Sequence, residues 1–128
     1  MKPPIESIRL SQKAKDQLSQ IKRITGIENW NILCRWALCL SLAEESDPAP
    51  ADIPADSSVE MSWKTFAGDH ADIYSLVVLA RCGSKSASTL FRLHLHRGIG
   101  YLQNNLSTRQ KAKSDIPLAE FIESHLSS

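Results

Sequence analysis

Gly26-Ile27-Glu28-Asn29-Trp30-Asn31-Ile32-Leu33-Cys34-Arg35-Trp36-Ala37-Leu38-Cys39-Leu40-Ser41-Leu42-Ala43 is the stretch that decides the fold class. A turn at Gly26 and an asparagine placed to cap precede a run in which only Asn31, Arg35 and Ser41 are clearly polar. That pattern predicts a helix from Trp30 to about Glu44, apolar nearly all round rather than on one stripe. Such a helix belongs at the centre of a core, and one small chain seldom covers it on every side. A subunit interface over part of it is compatible with that place, with Trp30, Leu33, Trp36, Leu38 and Leu40 as its candidates in a homo-oligomer.

Upstream, Pro3 and Pro4 block an earlier helix, and Ile5 to Ser11 alternates apolar with polar residues, which predicts a short strand or extended arm carrying Arg9. Ser11 can cap a helix in which Ala14, Leu18, Ile21 and Thr25 recur at helical spacing, and Gly26 ends it. Arm, capped helix, glycine turn and apolar helix follow one another as in a ribbon-helix-helix DNA binder, where strands enter the major groove and helix starts hold phosphates. The same order also fits a generic helical hairpin with a tail.

Downstream, Pro48, Pro50 and Pro54 among Ala, Ser and Asp predict a mobile acidic linker or loop at about 45–58. Val59, Met61 and Trp63 alternate with polar neighbours as a brief strand running into Phe66 and stopping at Gly68. Asp69 or Asp72 can cap a third helix through Ile73, Leu76, Val77 and Ala80 to Gly83, and a fourth is expected from Ser86 to Leu102. Asp115 and Pro117 mark a short terminal helix with Leu118, Phe121 and Ile122. The expected architecture is one compact, mainly α domain over residues 1–128. It has a ribbon-helix-helix-like N-terminal segment of a short strand and two helices, then further helices and a short strand.

Composition narrows the function classes. With 42% hydrophobic and 23% charged residues in 128, the chain should fold as one domain. Three cysteines, Cys34, Cys39 and Cys82, are an odd number and two lie in the apolar helix, so they read as thiols and not as a disulfide framework. Met1 to Leu10 holds no apolar stretch long enough for a signal peptide, no later run has the length of a membrane span, and a cytoplasmic protein is expected. The net charge of +1 conceals segregation: Met1–Leu42 carries +4, Ala43–Glu60 carries −6, Met61–Lys113 carries +6 and the tail −3. Two basic blocks about an acidic segment can present a positive face to a polyanion, or simply solvate helix surfaces.

Chemistry is harder to find. Cys34 and Cys39 lie about 140° apart around a helix and His94 and His96 about 200°, so neither pair chelates a metal. A nucleophile elbow, a phosphate loop and a paired-carboxylate site are all missing; Gly98 and Gly100 suit close helix packing better than nucleotide binding. No metal, no cofactor and no enzymatic activity are therefore expected. For a DNA surface the candidates are Arg9, Lys13, Lys15, Lys22 and Arg23, with Arg97 from the second basic block. Lys13 and Lys15 flank the first helix's free amides, where phosphate is favoured, while Lys22 and Arg23 lie off its core stripe.

Three stretches together resemble the DndE family of bacterial DNA sulfur-modification proteins: Pro3–Ser11, Gly26–Leu38, and Leu93-His94-Leu95-His96-Arg97-Gly98-Ile99-Gly100-Tyr101-Leu102. The resemblance spans most of the chain and departs from the family at Glu45–Ser58 and at Phe66-Ala67-Gly68-Asp69. It implies the small accessory of a phosphorothioation system in which a non-bridging phosphate oxygen is replaced by sulfur. In that system a cysteine desulfurase, an iron-sulfur protein and an ATPase perform the chemistry. It further implies a tetramer that prefers nicked double-stranded DNA, with the iron-sulfur protein and ATPase as partner subunits and no membrane. A ribbon-helix-helix transcriptional regulator reading a defined operator, or a protein-only scaffold, are the contrasting readings.

Overall fold

The computed structural model describes residues 3–83 and 86–112. Its elements are β1 (Ser7–Arg9), α1 (Gln12–Thr25), α2 (Trp30–Leu42), β2 (Glu60–Ser62), α3 (Trp63–Ala67), a 3-10 turn at Gly68–His70, α4 (Ala71–Cys82) and α5 (Ala87–Ala112). The expected mainly helical class is present, with one small antiparallel sheet. The terminal helix expected from Asp115 lies outside the described residues.

Local chemistry sets the ends of α1. The Ser11 hydroxyl accepts from the Ala14 amide at 3.0 Å, as the sequence predicted. At the other end Gly26 takes a left-handed φ of 76° and its amide donates to the Lys22 carbonyl, a conformation a side chain would strain. Ala14, Leu18 and Ile21 face inward between these caps. Asn29 occupies the capping position of α2, but its side chain makes no capping bond.

α2 packs antiparallel along α5, with Ser41 beside His94 and Arg97, and Ala37 against Gly98. A Cβ at Gly98 would stand 1.8 Å from the Ala37 carbonyl oxygen, so the two backbones meet only because that residue is glycine. Gly100 has no such role, since a Cβ there would meet only the Gln17 amide nitrogen at 3.9 Å. Leu33, Cys34, Leu38, Leu95, Ile99 and Leu102 are fully buried along this seam. Each such leucine or isoleucine contributes about 1.5–3 kcal/mol by leaving water, so the seam supplies a large part of the fold's stability. α1 lies across another side of α5 and runs in the same direction, for Ser11 bonds His96 and Gln17 and Gln20 both bond Gln103.

β1 pairs with β2 in the register Ser7–Ser62, Ile8–Met61 and Arg9–Glu60, which turns Ile8 and Met61 into the core. The strand expected to run on through Trp63 stops earlier. The Ser62 hydroxyl accepts from the Thr65 amide at 3.1 Å and starts α3, which brings Trp63 and Phe66 to one face. There Phe66 meets Trp63 and Phe91 at 5.3 Å and Tyr74 at 5.7 Å between ring centres.

Two further expectations are modified. The stripe Ile73, Leu76, Val77 and Ala80, read as part of a third helix, is helical but faces solvent; α4 instead buries Ser75, Val78 and Cys82. Neither Asp69 nor Asp72 caps it, since His70 holds the capping position. The acidic segment at 45–58, expected as a mobile linker or loop, packs Pro48 and Ser57 into the body. Its backbone finds distant partners: Arg92 donates to the Ile53 carbonyl at 2.9 Å, Arg97 donates to the Ser46 carbonyl at 3.0 Å, and the Ser57 amide donates to the Leu10 carbonyl at 3.2 Å.

Candidate nucleic-acid interface

The six basic residues singled out from the sequence do not form one cluster. Arg9 stands on the exposed face of β1, where its guanidinium is 2.7 Å from the Glu60 carboxylate and 3.2 Å from the Ser57 carbonyl. Bonding by the Ser7 hydroxyl and the charge of Arg9 hold the Glu60 carboxyl below the usual carboxylate range. The arm that could have entered a groove is thus paired within its own chain and its charge is balanced.

Lys15 and Lys22 are seven residues apart and share one flank of α1. The Lys15 ammonium donates to the Ser58 hydroxyl at 3.1 Å, and the Lys22 ammonium lies 4.5 Å above the Trp30 ring. Arg23 projects outward beside them, and with Lys22, Asp16, Ser19, Gly26 and Glu28 it lines an open cleft of about 600 Å³ at the end of α1. Lys13 lies about 170° around the helix from that flank. It borders a groove of about 670 Å³ between α1, α5 and the acidic segment, together with Asp52, Asp56, His96 and Arg97.

The start of α1 was expected to offer its free amides to phosphate. Two of those amides are taken within the chain: the Ser11 hydroxyl accepts from Ala14, and the Asp56 carboxylate accepts from Gln12 at 2.8 Å. The chain's own acid stands where an anion would bind.

Arg97 is likewise committed. Its Nε donates to the Ser41 hydroxyl and Nη2 to the Ser41 carbonyl, each at 2.9 Å, and the guanidinium stacks 5.6 Å from the Tyr101 ring centre. Sequence reasoning also missed what its neighbours do. Arg92 ties α5 to the Arg9 carbonyl and the acidic segment, while His96 accepts from the Ser11 amide through Nε2 and donates Nδ1–H to the Arg92 carbonyl. Arg92 and the block Leu93–Leu102 are therefore a stitch between β1, α1, α2 and the 45–58 segment. Only its glycine at 98 carried a sequence signal for that.

Of the five α2 residues expected at a subunit interface, Leu33 and Leu38 are fully buried in the chain's own core and Leu40 is 9% exposed. Trp30 and Trp36 are half-buried at its margin. The apolar girth of α2 is covered from within, chiefly by α5. Among the described residues the large apolar side chains left in water are Ile73, Leu76, Val77 and Leu79, all on α4.

Ser41 and His94 approach to 2.8 Å, the distance of a nucleophile and its base. Both are enclosed, at 0% and 1% exposure, so no substrate reaches them. Burial first, then the charges of Arg97 and Arg81, pushes the His94 imidazole down to about 4, against the pull of Asp47. Burial pushes the Cys34 thiol up to about 12 and raises Cys39 as well. Among the described residues no group of three or more His, Cys, Asp or Glu could hold a metal ion, and no helix is long and apolar enough to cross a membrane.

The architecture is that of a small helical protein built on one long helix, with cations on the outer side of its first helix. Residues 7–110 match the family model described as DNA sulphur modification protein DndE, and the chain belongs to that family. The crystal structure of DndE from Escherichia coli B7A, involved in DNA phosphorothioation modification, is similar with a TM-score of 0.66 and 25% identity, covering 77% of this chain and 96% of that one. A crystal structure of a glycine-to-lysine DndE mutant gives a TM-score of 0.62 at 22% identity, over 78% and 98% of the two chains. Among curated proteins no match was found.

Proposed function

We propose that this chain is a non-catalytic DNA-binding accessory subunit of the phosphorothioation machinery. It grips nicked duplex DNA as a homotetramer, through backbone phosphates, and works beside the iron-sulfur protein and the ATPase. The observation that carries the reading is the outer side of α1 in a member of this family: Lys15, Lys22 and Arg23 on or beside one flank, none of them in an ion pair shorter than 4 Å with a described residue. Lysines 15 and 22 lie about 10 Å apart along the axis, at 1.5 Å per residue, and can bridge separate phosphates of a backbone.

The thiols support the non-catalytic part of the reading. A sulfur relay needs a thiolate, and burial holds Cys34 and Cys39 in the protonated form at neutral pH. The regulator reading loses its main support, because β1 is paired with β2 of the same chain and is not free to enter a groove with a second subunit's strand. The test is a comparison of nicked duplex, intact duplex and single-stranded DNA of one sequence as ligands for the purified protein. Tightest binding to the nicked duplex, independent of sequence, is expected. A preference for one intact sequence would return the regulator, and no binding to any of them at moderate salt would leave a protein-only scaffold.

A further inference from the structure

Residues 43–60 carry six acids and no base, and all six acids are exposed. The segment is held to the body by its backbone. Arg92 donates to the Ile53 carbonyl at 2.9 Å and Arg97 to the Ser46 carbonyl at 3.0 Å. The Leu10 amide donates to the Val59 carbonyl at 3.1 Å, the Ser57 amide donates to the Leu10 carbonyl at 3.2 Å, and Pro48 and Ser57 are buried. These anchors use carbonyls, amides and packing, and they would hold a neutral segment equally well.

Two of the carboxylates are set on groups that suit a phosphate. Glu60 lies 2.7 Å from the Arg9 guanidinium, and the two side chains are 46% and 45% exposed, so the pair is open to exchange and adds little to stability. The Asp56 carboxylate accepts from the Gln12 amide at 2.8 Å. Carboxylate and phosphodiester oxygens carry the same charge and accept from the same donors, so each carboxylate stands where a phosphate could. Lys15 gives the arrangement a direction. On the outer flank of α1 its ammonium donates to the Ser58 hydroxyl at 3.1 Å. A phosphate backbone laid along Lys22 and Lys15 therefore runs on to Ser58, with Asp56 and Glu60 two residues to either side.

From this we infer that the acidic segment is an autoinhibitory strap. In the free protein the Asp56 and Glu60 side chains occupy the start of α1 and Arg9; when a DNA backbone engages these groups the two side chains turn away, while the arginine-held main chain stays in place. The inference rests on the DNA-binding part of the proposed function and adds its regulation. A polyanion that reaches only Lys22 and Lys15 leaves the strap closed, whereas one that runs on over Ser58 opens it and gains Arg9, which the ion pair otherwise withholds.

Salt titrations of duplex DNA binding to the full chain, to Asp56→Asn/Glu60→Gln and to Glu44→Gln/Glu45→Gln test it. Both double variants raise the net charge by the same amount. The carboxamide oxygens of the first still accept from Gln12 and Arg9, so its thermal melt should stay near that of the wild type. Glu44 and Glu45 lie at the other end of the segment, where their carbonyls accept from Arg81. Freeing one phosphate contact should steepen the slope of log affinity against log salt by about 0.9, which is about an eightfold gain for each tenfold dilution of salt. That gain is expected of Asp56→Asn/Glu60→Gln and not of Glu44→Gln/Glu45→Gln, and Arg9→Gln added to the first should remove it. If the first double variant fails to fold, Glu60→Gln alone carries the test, since it leaves the start of α1 untouched. Equal gains in the two double variants would be an effect of net charge and overturn the strap, as would unaltered affinity and slope in a folded Asp56→Asn/Glu60→Gln protein; DNA binding by the wild type then stands. No binding by the wild type or any variant overturns both.

Discussion

Gly98→Ala is the smallest change that attacks the core of this fold. The added methyl carbon would lie 1.8 Å from the Ala37 carbonyl oxygen, 2.4 Å from its carbon and 3.2 Å from its Cα. These are backbone atoms inside α2, so no side-chain rotation relieves the clash. α2 and α5 must separate by roughly 1.5 Å to restore ordinary contact, and a gap of 0.5–1 Å already forfeits a quarter to a half of each dispersion contact it opens. Leu33, Leu38, Leu95, Ile99 and Leu102 all line the seam that would open. Overpacking of a core costs about 1–3 kcal/mol in ordinary cases, and a backbone-to-backbone clash on the main seam belongs at or above the top of that range, about 3–5 kcal/mol.

Against a total stability of about 5–15 kcal/mol, that loss moves the denaturation midpoint far. The control lies two residues away. Gly100→Ala meets only the end of the flexible Gln17 side chain at 3.9 Å, and replacing a mid-helix glycine should stabilise by about 0.5–1 kcal/mol. Urea denaturation followed by circular dichroism compares the two variants. The reasoning is refuted if Gly98→Ala retains wild-type stability to within about 1 kcal/mol, or if Gly100→Ala is the more damaging of the pair.

Charge reversal of Lys22 and Arg23 should weaken binding to all duplexes alike and flatten the slope of log affinity against log salt by roughly one unit per lost phosphate contact, with oligomeric state unchanged; unaltered affinity and slope would remove them from the DNA surface. Arg97→Ala should cost about 2–3 kcal/mol of stability by freeing Ser41 and Ser46 oxygens while leaving the salt slope intact, which a salt titration beside a thermal melt would show. The His94 imidazole, held neutral by burial at about 4 against an ordinary 6.5, gives stability that is complete above pH 6.5 and is lost as pH falls towards 4, because the unfolded chain takes up a proton that the folded chain refuses. That contribution reaches about 3 kcal/mol, and His94→Gln should flatten the acid limb of a denaturation series between pH 7 and 4.5. Cys34 should resist alkylation in the native protein at pH 8 and react only after denaturation, as peptide mass mapping would reveal.

What the sequence made legible were features whose causes are local. Ser11 and Gly26 bracket α1 because a hydroxyl three residues from an amide and a glycine at a left-handed turn act within one helical turn. The arm at Ser7–Arg9 is a strand, as its alternation predicted, but its partner comes 53 residues later, and no local signal names it. At Trp63 two periods overlap: Val59, Met61 and Trp63 alternate as a strand, while Trp63 and Phe66 are also three apart on a helix. The Ser62 cap decides between them, and a hydroxyl's choice of partner is not written in hydrophobic spacing. α4 fails for a different reason. A helix apolar on both sides has no strong moment to say which side is inner, so a stripe legible as helical was not legible as exposed.

The charge count misled in a way the structure explains. The second basic block, +6 by residue type, suggested a surface, but a guanidinium has five donors and seeks carbonyl oxygens wherever the backbone leaves them unpaired. Arg81, Arg92 and Arg97 each reach carbonyls across 36 or more residues of sequence, closing the end of α2 and holding the proline-rich segment to the body. A proline-rich segment pairs few of its own carbonyls, so arginines on α5 and a proline-rich loop are two halves of one packing solution. The same segment returns Asp56 to the start of α1 and places Asp52 on the groove that Lys13 borders, which lowers the positive potential on that side of the helix. On the opposite flank Lys22 and Arg23 share their cleft with Asp16 and Glu28, but neither they nor Lys15 makes an ion pair within 4 Å with a described residue. The acidic segment thus occupies part of the helix start, which is why the proposed function draws its phosphate contacts from the outer and far side of α1.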